Sequence, residues 1–460
     1  MIDIQELKNL VTEWSLREEI VEKDYVIGWV LWGIGSDPDL SVHWAFKGGT
    51  SLKKCYMETW RFSEDLDFTV IPGGPYKPEA IEPIIKKILD RVYDESGIDF
   101  SRQPPGYKHD ADASYTEGRI YYSGPRQAPP IRIKLDISGS EKLARPTVLR
   151  DIKHPYSDAL PEPAQVRCYA FEEIFAEKIR AMGERGRPRD LYDIVLISRL
   201  MSGGLDSRLI KSVLEEKCRS KGVTVPTLES IQKAQTKDEL ISEWENMLGH
   251  QLVELPPFEQ FWDELPNLFN WLNGAVAPKV AVIESREDLD TQWTPPPTMH
   301  QWGLPISLES IRFAAVNHLC VDLGYQRSHR LIEPYSLRRT RDGHLLLYAV
   351  KVQTREIRAY RVDRIESVKV AAQSFIPKFA IEFSPAGIIP VKPVSGKIGS
   401  SPFVSPKRGH ASGMKYIFQC PACQKEFKKS TNDPILRAHK NQYGARCYGK
   451  RGYFLGSEWD

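Results

Sequence analysis

Residues 46 to 68 constrain this chain more than any other stretch: Phe46-Lys-Gly-Gly-Thr-Ser-Leu52, followed by Arg61-Phe-Ser-Glu-Asp-Leu-Asp-Phe68. A Gly-Gly-Thr turn opens a short helical segment. Asp65 and Asp67 then alternate with Leu66 and Phe68 in a strand-like run, so both carboxylates point to one face. Two carboxylates so placed are costly to bury unless a cation joins them. Magnesium, or manganese in its place, takes carboxylate and phosphate oxygens together. Glycine lets backbone N–H groups approach an anion closely, and the helix start that follows favours negative charge. Gly48, Gly49, Thr50 and Ser51 therefore read as a phosphate cradle beside a metal-binding pair of aspartates. Each half alone has an ordinary reading, a turn and a solvated strand edge; together and in this order they describe a site for nucleotidyl transfer.

At 460 residues the chain exceeds one typical core and predicts two or three domains. Its charged content of 27% and formal net charge of +2 exclude a globally basic protein, leaving nucleic-acid contacts to local patches. No uninterrupted apolar run is long enough for a bilayer, and the acid-bearing Met1-Ile-Asp-Ile-Gln-Glu6 start lacks a signal-peptide pattern, so no membrane association and a cytoplasmic location are expected. Cys55, Cys168, Cys218 and Cys320 are scattered, as small core residues in a reducing compartment are. Ile131, Ile133, Leu135 and Ile137 alternate with Arg132, Lys134 and Asp136, the pattern of a half-buried strand. Asp136 on its polar face is a candidate third carboxylate, the alternative being an exposed strand aspartate.

The stretch Gly48-Gly-Thr50, Arg61-Phe-Ser-Glu-Asp-Leu-Asp-Phe68, with Val21-Glu-Lys-Asp-Tyr25 upstream, resembles the AbiEii/AbiGii-type nucleotidyltransferase toxins of the polymerase-β-like superfamily. Those toxins belong to bacterial toxin–antitoxin and phage-defence systems. The resemblance extends over residues 1 to 275 and implies an α+β fold with a helical second half. It also implies that Asp65, Asp67 and Asp136 hold the catalytic metals, with Asp136 assisting the nucleophile. Lys178 and Arg185 reproduce the family's K-x6-R spacing, and Arg187-Pro-Arg-Asp-Leu-Tyr-Asp193 is similar to its following motif. By that likeness Lys178 and Arg185 contact the nucleotide phosphates, and Asp190 and Asp193 line the same pocket, one of them orienting the lysine or arginine. From the residues alone, Lys178 also reads as a lysine snorkelling from the apolar stripe of Phe171, Ile174 and Phe175, and Asp190 as a helix cap after Pro188.

Residues 276 to 305, with Pro295-Pro-Pro297, read as a linker. Residues 306 to 375 begin with a helical run and continue in strands. Glu333-Pro-Tyr335, Leu346-Leu-Tyr348 and Arg358-Ala-Tyr-Arg-Val-Asp-Arg-Ile365 resemble a WYL domain, a small SH3-like β-barrel. Arg358, Arg361 and Arg364 with Tyr348 and Tyr360 offer charge and stacking to a nucleic-acid strand or nucleotide, or form an ordinary cationic surface. After a flexible tether over 376 to 414, residues 415 to 460 carry Cys420-Pro-Ala-Cys423, His439 and Cys447. Four such ligands suit a closed structural zinc site, and Phe427 and Leu436 sit where the small core of a ββα zinc finger has them.

The function expected from this reading is metal-dependent transfer of a nucleoside monophosphate from an NTP to an acceptor. By family likeness the acceptor is RNA, with the tRNA 3′ end favoured over a protein hydroxyl, and a winged-helix antitoxin is the expected partner. The competing expectation is a regulatory nucleic-acid- or ligand-binding protein whose transferase domain is subordinate or inactive.

Overall fold

The computed structural model describes residues 1–14, 16–57, 61–201, 205–275, 280–283, 308–339, 345–383, 389–390, 414–420, 423, 425–429, 435–436, 439–440, 446–447 and 453–459. Packing divides the chain into two compact units, Met1–Pro393 and Val394–Asp460.

The first unit opens with α1 (Ile4–Trp14) and α2 (Glu18–Gly35). Most of α2 is buried, including two acids, Glu22 and Asp24. Each is neutralised from elsewhere in the chain. Arg126 donates its Nε to Glu22 at 2.9 Å; Lys54 lies 2.5 Å from Asp24, which also accepts the Tyr156 hydroxyl at 2.8 Å. These pairs fix α2 against loops that otherwise share no sequence pattern with it. A short α3 (Leu40–His43) leads into β1 (Trp44–Lys47), then α4 (Gly48–Ser51), a single π turn over Leu52–Tyr56, and β2 (Asp65–Val70).

Next come α5 (Pro78–Ser96), β3 (Gly106–Asp110), β4 (Tyr115–Tyr122), β5 (Ile131–Ser138), β6 (Val148–Asp151) and β7 (Gln165–Cys168). The seven strands form one mixed sheet in the order β3-β4-β5-β2-β1-β7-β6. The pairs β2–β5 and β1–β7 are parallel; the others are antiparallel. The alternation read over 131–137 is present, with Ile133, Leu135 and Ile137 fully buried. Those side chains, with Leu66 and Phe68 of β2, pack on α2 and α5 in one core.

Helices follow: α6 (Phe171–Arg185), α7 (Pro188–Met201), α8 (Ser207–Lys221), α9 (Leu228–Ile231), α10 (Ala234–Leu248), α11 (Phe258–Trp262) and α12 (Leu265–Leu272). The aromatics Trp244, Phe258, Phe261, Trp262 and Phe269 are buried among them. Then α13 (Leu308–Val316) precedes β8 (Leu319–Tyr325), β9 (Ser328–Arg339), β10 (Leu345–Lys351), β11 (Ile357–Arg361) and β12 (Ile365–Ser374). They make a sheet ordered β11-β10-β9-β8-β12, with β13 (Ile389–Pro390) added beside β9.

The sheet module is wider than the 306–375 read from sequence. The Arg338 guanidinium donates to the Ile283 carbonyl at 2.8 Å and pairs with Glu382, and Ala380 N–H donates to the Ala281 carbonyl at 2.8 Å. Parts of the expected linkers thus complete the module, because buried strand edges need partners. Nor does packing break at residue 275. The helices of 171–272 and the α13 region share one apolar core, and the Tyr192 hydroxyl donates to Asn317 Oδ1 at 2.9 Å.

The second unit has a three-stranded sheet of β14 (Met414–Gln419), β15 (Glu426–Lys429) and β18 (Tyr453–Trp459), plus the pair β16 (His439–Lys440) and β17 (Arg446–Cys447). Among the described residues no helix of any unit is long and apolar enough to cross a membrane.

Removing one member of a buried ion pair leaves the other charge stranded. Lys54→Met is expected to destabilise the protein by about 3–5 kcal/mol in chemical denaturation, and Lys54→Met with Asp24→Leu by less than Lys54→Met alone.

Candidate active site

The site is a rung across four strands. Lys47 on β1 stands opposite Asp67 on β2, Asp67 opposite Asp136 on β5, and Asp136 opposite Glu117 on β4. Register partners share a face, so one ammonium and three carboxylates lie side by side. Asp65, two residues before Asp67, joins them on that face and is paired in register with Lys134.

Gly48 sits against this rung with φ of +79°. A Cβ there would lie 2.3 Å from Asp67 Oδ2. Both the backbone conformation and the space require glycine, and the result is a bare backbone next to a carboxylate. Gly49 is crowded too, a Cβ falling 2.8 Å from Arg61 Nη2.

The side chains of Thr50 and Ser51 hold the turn, leaving the expected cradle to the backbone N–H groups. The Thr50 hydroxyl donates to the Asp65 carbonyl and Ser51 Oγ donates to the Gly48 carbonyl at 2.9 Å. Both side chains are fully buried, so they fix the turn to β2 instead of facing a ligand. Turn geometry is what the hydroxyls supply.

Asp136 is turned toward the rung, but its oxygens are occupied. The Tyr115 hydroxyl donates to Oδ1, and Lys134 Nζ lies 2.7 Å from Oδ2. The donor set is hard oxygen, as magnesium or manganese prefers. Among the described residues, however, only the Cys420 set brings three or more ligand atoms close enough to hold an ion, and Asp65, Asp67 and Asp136 are not gathered in that way.

Lys178 and Asp193 come from adjacent helices, α6 and α7, and meet at 2.7 Å. Asp193 is fully buried and also takes a two-pronged contact from Arg61, with Nε and Nη2 each at 2.8 Å. Gln251 Oε1 accepts from Arg61 Nη1 at 3.0 Å. The neighbouring cations hold the Asp193 carboxyl below the usual range despite its burial. Asp190 is equally buried and grips Arg185, Nε at 2.7 Å and Nη2 at 2.8 Å. Neither aspartate borders the cleft. Each holds a cation that does, the orienting role expected of one of them, and the carboxylate of Asp190 is engaged by Arg185, not by the start of α7.

The cleft itself, about 190 Å³, is bordered by Gly48, Asp67, Glu177, Lys178, Arg180 and Arg185, with Lys47 beside them. Lys47, Arg61 and Glu177 were not singled out from sequence. Arg61 belonged to the motif and Lys47 abuts the glycines, but only strand register puts Lys47 opposite Asp67. Lys47 pairs with Glu141, and Glu177 with Lys217 at 2.7 Å. Burial lowers the proton affinity of Lys47, partly offset by Glu177 and Asp67.

Two other expected constellations lie elsewhere in the chain. In the sheet module Tyr348 is buried beneath Arg338, whose guanidinium is 4.7 Å from the ring, and Tyr360 and Arg364 are buried as well. Tyr348 and Arg364 are therefore core residues, not a stacking surface. Arg358 and Tyr360 border a cleft with Tyr325, Arg330 and Lys351. In the second unit, one ligand atom each from Cys420, Cys423, His439 and Cys447 lies within 4.8 Å of the others. Cys420 and Cys447 Sγ atoms are 3.7 Å apart, near the edge of a tetrahedron with metal–sulfur bonds of about 2.3 Å. His439 is on β16, paired with Cys447, where the finger pattern anticipated a helix.

Crowding shows in protonation. Loss of hydration, with Asp136 and Asp65 nearby, pushes Asp67 up to about 6, against the pull of Lys47. Asp65 is raised too, chiefly by burial. A carboxyl whose folded pKa is raised stabilises the fold below its unfolded value near 3.8 and loses that contribution as pH rises through 6. In chelator, the unmodified protein is expected to lose about 2 kcal/mol relative to Asp67→Asn between pH 4 and pH 7.5, read from denaturation midpoints at each pH.

The sequence matches the family profile described as nucleotidyl transferase AbiEii toxin, type IV TA system, over residues 29–264, and the WYL domain profile over residues 307–370. No curated protein matches. Among solved structures, MenT4, a nucleotidyltransferase toxin from Mycobacterium tuberculosis H37Rv, superposes with a TM-score of 0.41 at 19% identity, covering 58% of this chain and 90% of that one. JHP933 from Helicobacter pylori does so with a TM-score of 0.36 at 20% identity, covering 56% and 93%. The AbiEii profile spans more than half of the chain and takes in Gly48, Asp65, Asp67, Asp136, Lys178 and Asp193. The chain belongs to the AbiEii nucleotidyltransferase toxin family.

Proposed function

We propose that this nucleotidyltransferase moves a nucleoside monophosphate from an NTP to RNA, with the 3′ end of tRNA as acceptor, acting in the cytoplasm as the toxin of a toxin–antitoxin pair. The observation that carries this is the rung: Asp67 and Asp136 side by side on parallel strands, with the bare Gly48 backbone pressed against Asp67. The triphosphate lies along Gly48 and Gly49, with Lys178 and Arg185 neutralising its charge. The acceptor hydroxyl attacks the α-phosphorus, its proton passes to Asp136, and the bond to pyrophosphate breaks. Asp65, Asp67 and Asp136 are the residues that would hold magnesium or manganese, which would supply charge stabilisation during the transfer. Asp193 and Arg61 keep Lys178 in place, so positioning and electrostatics provide the acceleration.

The Cys420, Cys423, His439 and Cys447 set, three thiols and an imidazole, matches the donor chemistry of structural zinc. We assign that unit to zinc and, with its lysines and arginines, to contact with the RNA. A winged-helix antitoxin is the partner proposed to restrain the enzyme.

Incubation with each α-labelled NTP, magnesium and total RNA is expected to label the tRNA pool. Asp67→Asn and Lys178→Ala are each expected to lower transfer by at least about 100-fold while the protein stays folded. Label appearing only on protein would replace the RNA acceptor; equal labelling by Asp67→Asn would exclude the site. Metal analysis of the purified chain is expected to return one zinc, lost in Cys423→Ser; folded, zinc-free protein would contradict the assignment.

A further inference from the structure

The catalytic rung continues past Glu117. Glu117 is in register with Lys108 on β3, so the row runs Lys47, Asp67, Asp136, Glu117, Lys108 across the sheet. One side-chain repeat away Lys134 stands opposite Arg119, and one repeat further Arg132 stands opposite Tyr121. Residues two apart on a strand share a face, and so do register partners. Lys108, Arg119, Tyr121, Arg132 and Lys134 therefore lie on the face that carries the three aspartates, opposite to the one packed on α2 and α5.

This part of the face is accessible. Lys108 and Arg132 are exposed, the Arg119 side chain is 45% exposed, and Tyr121 is half-buried. The side chains of Lys108 and Arg132 form no ion pair among the described residues. Arg119 is 2.7 Å from Glu117, a surface pair that a phosphate can displace at little cost. The same pair offsets Glu117, the acid between the patch and the aspartates; Asp110 lies at the margin, opposite Tyr115.

The direction of the reaction says what crosses this face. Lys178 and Arg185, the cations assigned to the triphosphate, come from α6 and border the cleft together with Lys47 and Gly48. In-line displacement sets the attacking oxygen opposite the leaving pyrophosphate. The acceptor then enters from the other side of Asp136, over β4 and β3. We propose that the open face of β3, β4 and β5 is the track for the acceptor RNA. Its single-stranded 3′ end runs from Arg132 toward Asp136, with a base stacked on Tyr121 and phosphates held by Arg132, Arg119 and Lys108. Arg132 is four residues before Asp136, about 13 Å along the strand, a span that the last nucleotides of an RNA cover. Guanidinium groups grip phosphate in two prongs and an aromatic ring accepts any base, so the track selects a single strand and not a sequence. This rests on the reading that RNA is the acceptor.

The test places a photoreactive 4-thiouridine at the penultimate nucleotide of a short single-stranded RNA, irradiates it with the full chain and maps the adducts. Adducts are expected on peptides of β4 or β5. Adducts confined to Val394–Asp460 or to the helices of 171–272 would overturn the track and leave RNA as the acceptor; no adduct anywhere would overturn both. In fluorescence anisotropy with a labelled form of the same RNA, Lys108→Glu with Arg132→Glu is expected to reduce the slope of log affinity on log salt by at least about 1.4, the share of two phosphate contacts. Tyr121→Ala is expected to weaken binding about tenfold, and Tyr121→Phe to retain it. Unchanged affinity and slope in the charge-reversed pair and in Tyr121→Ala would refute the proposal. Neither readout requires nucleotidyl transfer, so failure of the proposed reaction leaves the result interpretable.

Discussion

Placing Asp67 directly beside Asp136 on parallel strands is the constraint around which the first unit is built. Two carboxylates on neighbouring strands repel, and nothing in apolar packing explains keeping them together. The surrounding structure answers with cations at graded distances. Lys47 faces Asp67 across β1, Lys134 holds Asp136, and Lys178 and Arg185 stand across the cleft. Glycine at position 48 keeps the space above Asp67 clear of side chains. A divalent cation and a triphosphate together would satisfy both signs of charge, which is why the family assignment and the local electrostatics agree.

Behind this face, buried ionic networks set the positions of the cations. Asp193 is shared by Lys178 and Arg61, and Asp190 is committed to Arg185. Lys217 joins Glu173 and Glu177, the latter at the cleft wall. Pairs of this kind add little net stability but specify one arrangement, because any other leaves a charge unsatisfied. They rigidify a site whose chemistry depends on placing phosphate within tenths of an ångström.

Much of the site was legible in sequence because period-2 alternation reports directly on which residues share a face. That reasoning put Asp65 and Asp67 on one face, and the 131–137 pattern put Asp136 on the polar face of its strand, where register pairs it with Asp67. It could not supply register between strands, which depends on pairings across dozens of residues; so Lys47 opposite Asp67, and Tyr115 on Asp136, emerged only from the fold. Motif spacing located Asp190 and Asp193 but not their direction. A helix face tells which residues neighbour one another, whereas the choice between cleft and interior was decided by Arg61 and Arg185. Tyr348 and Arg364 read as surface residues because charge and aromatic content alone do not reveal burial within a small sheet. The strand carrying His439 likewise follows from its pairing with Cys447, which ligand spacing does not encode.

The most direct test is a titration with manganese, followed by its paramagnetic resonance signal, in the presence of a non-hydrolysable NTP analogue. The account requires manganese to bind the unmodified chain and to be lost, with its nucleotide dependence, in Asp67→Asn and Asp136→Asn. Undiminished nucleotide-dependent manganese binding in both variants would show that the paired aspartates are not the metal site, and the central claim would fail.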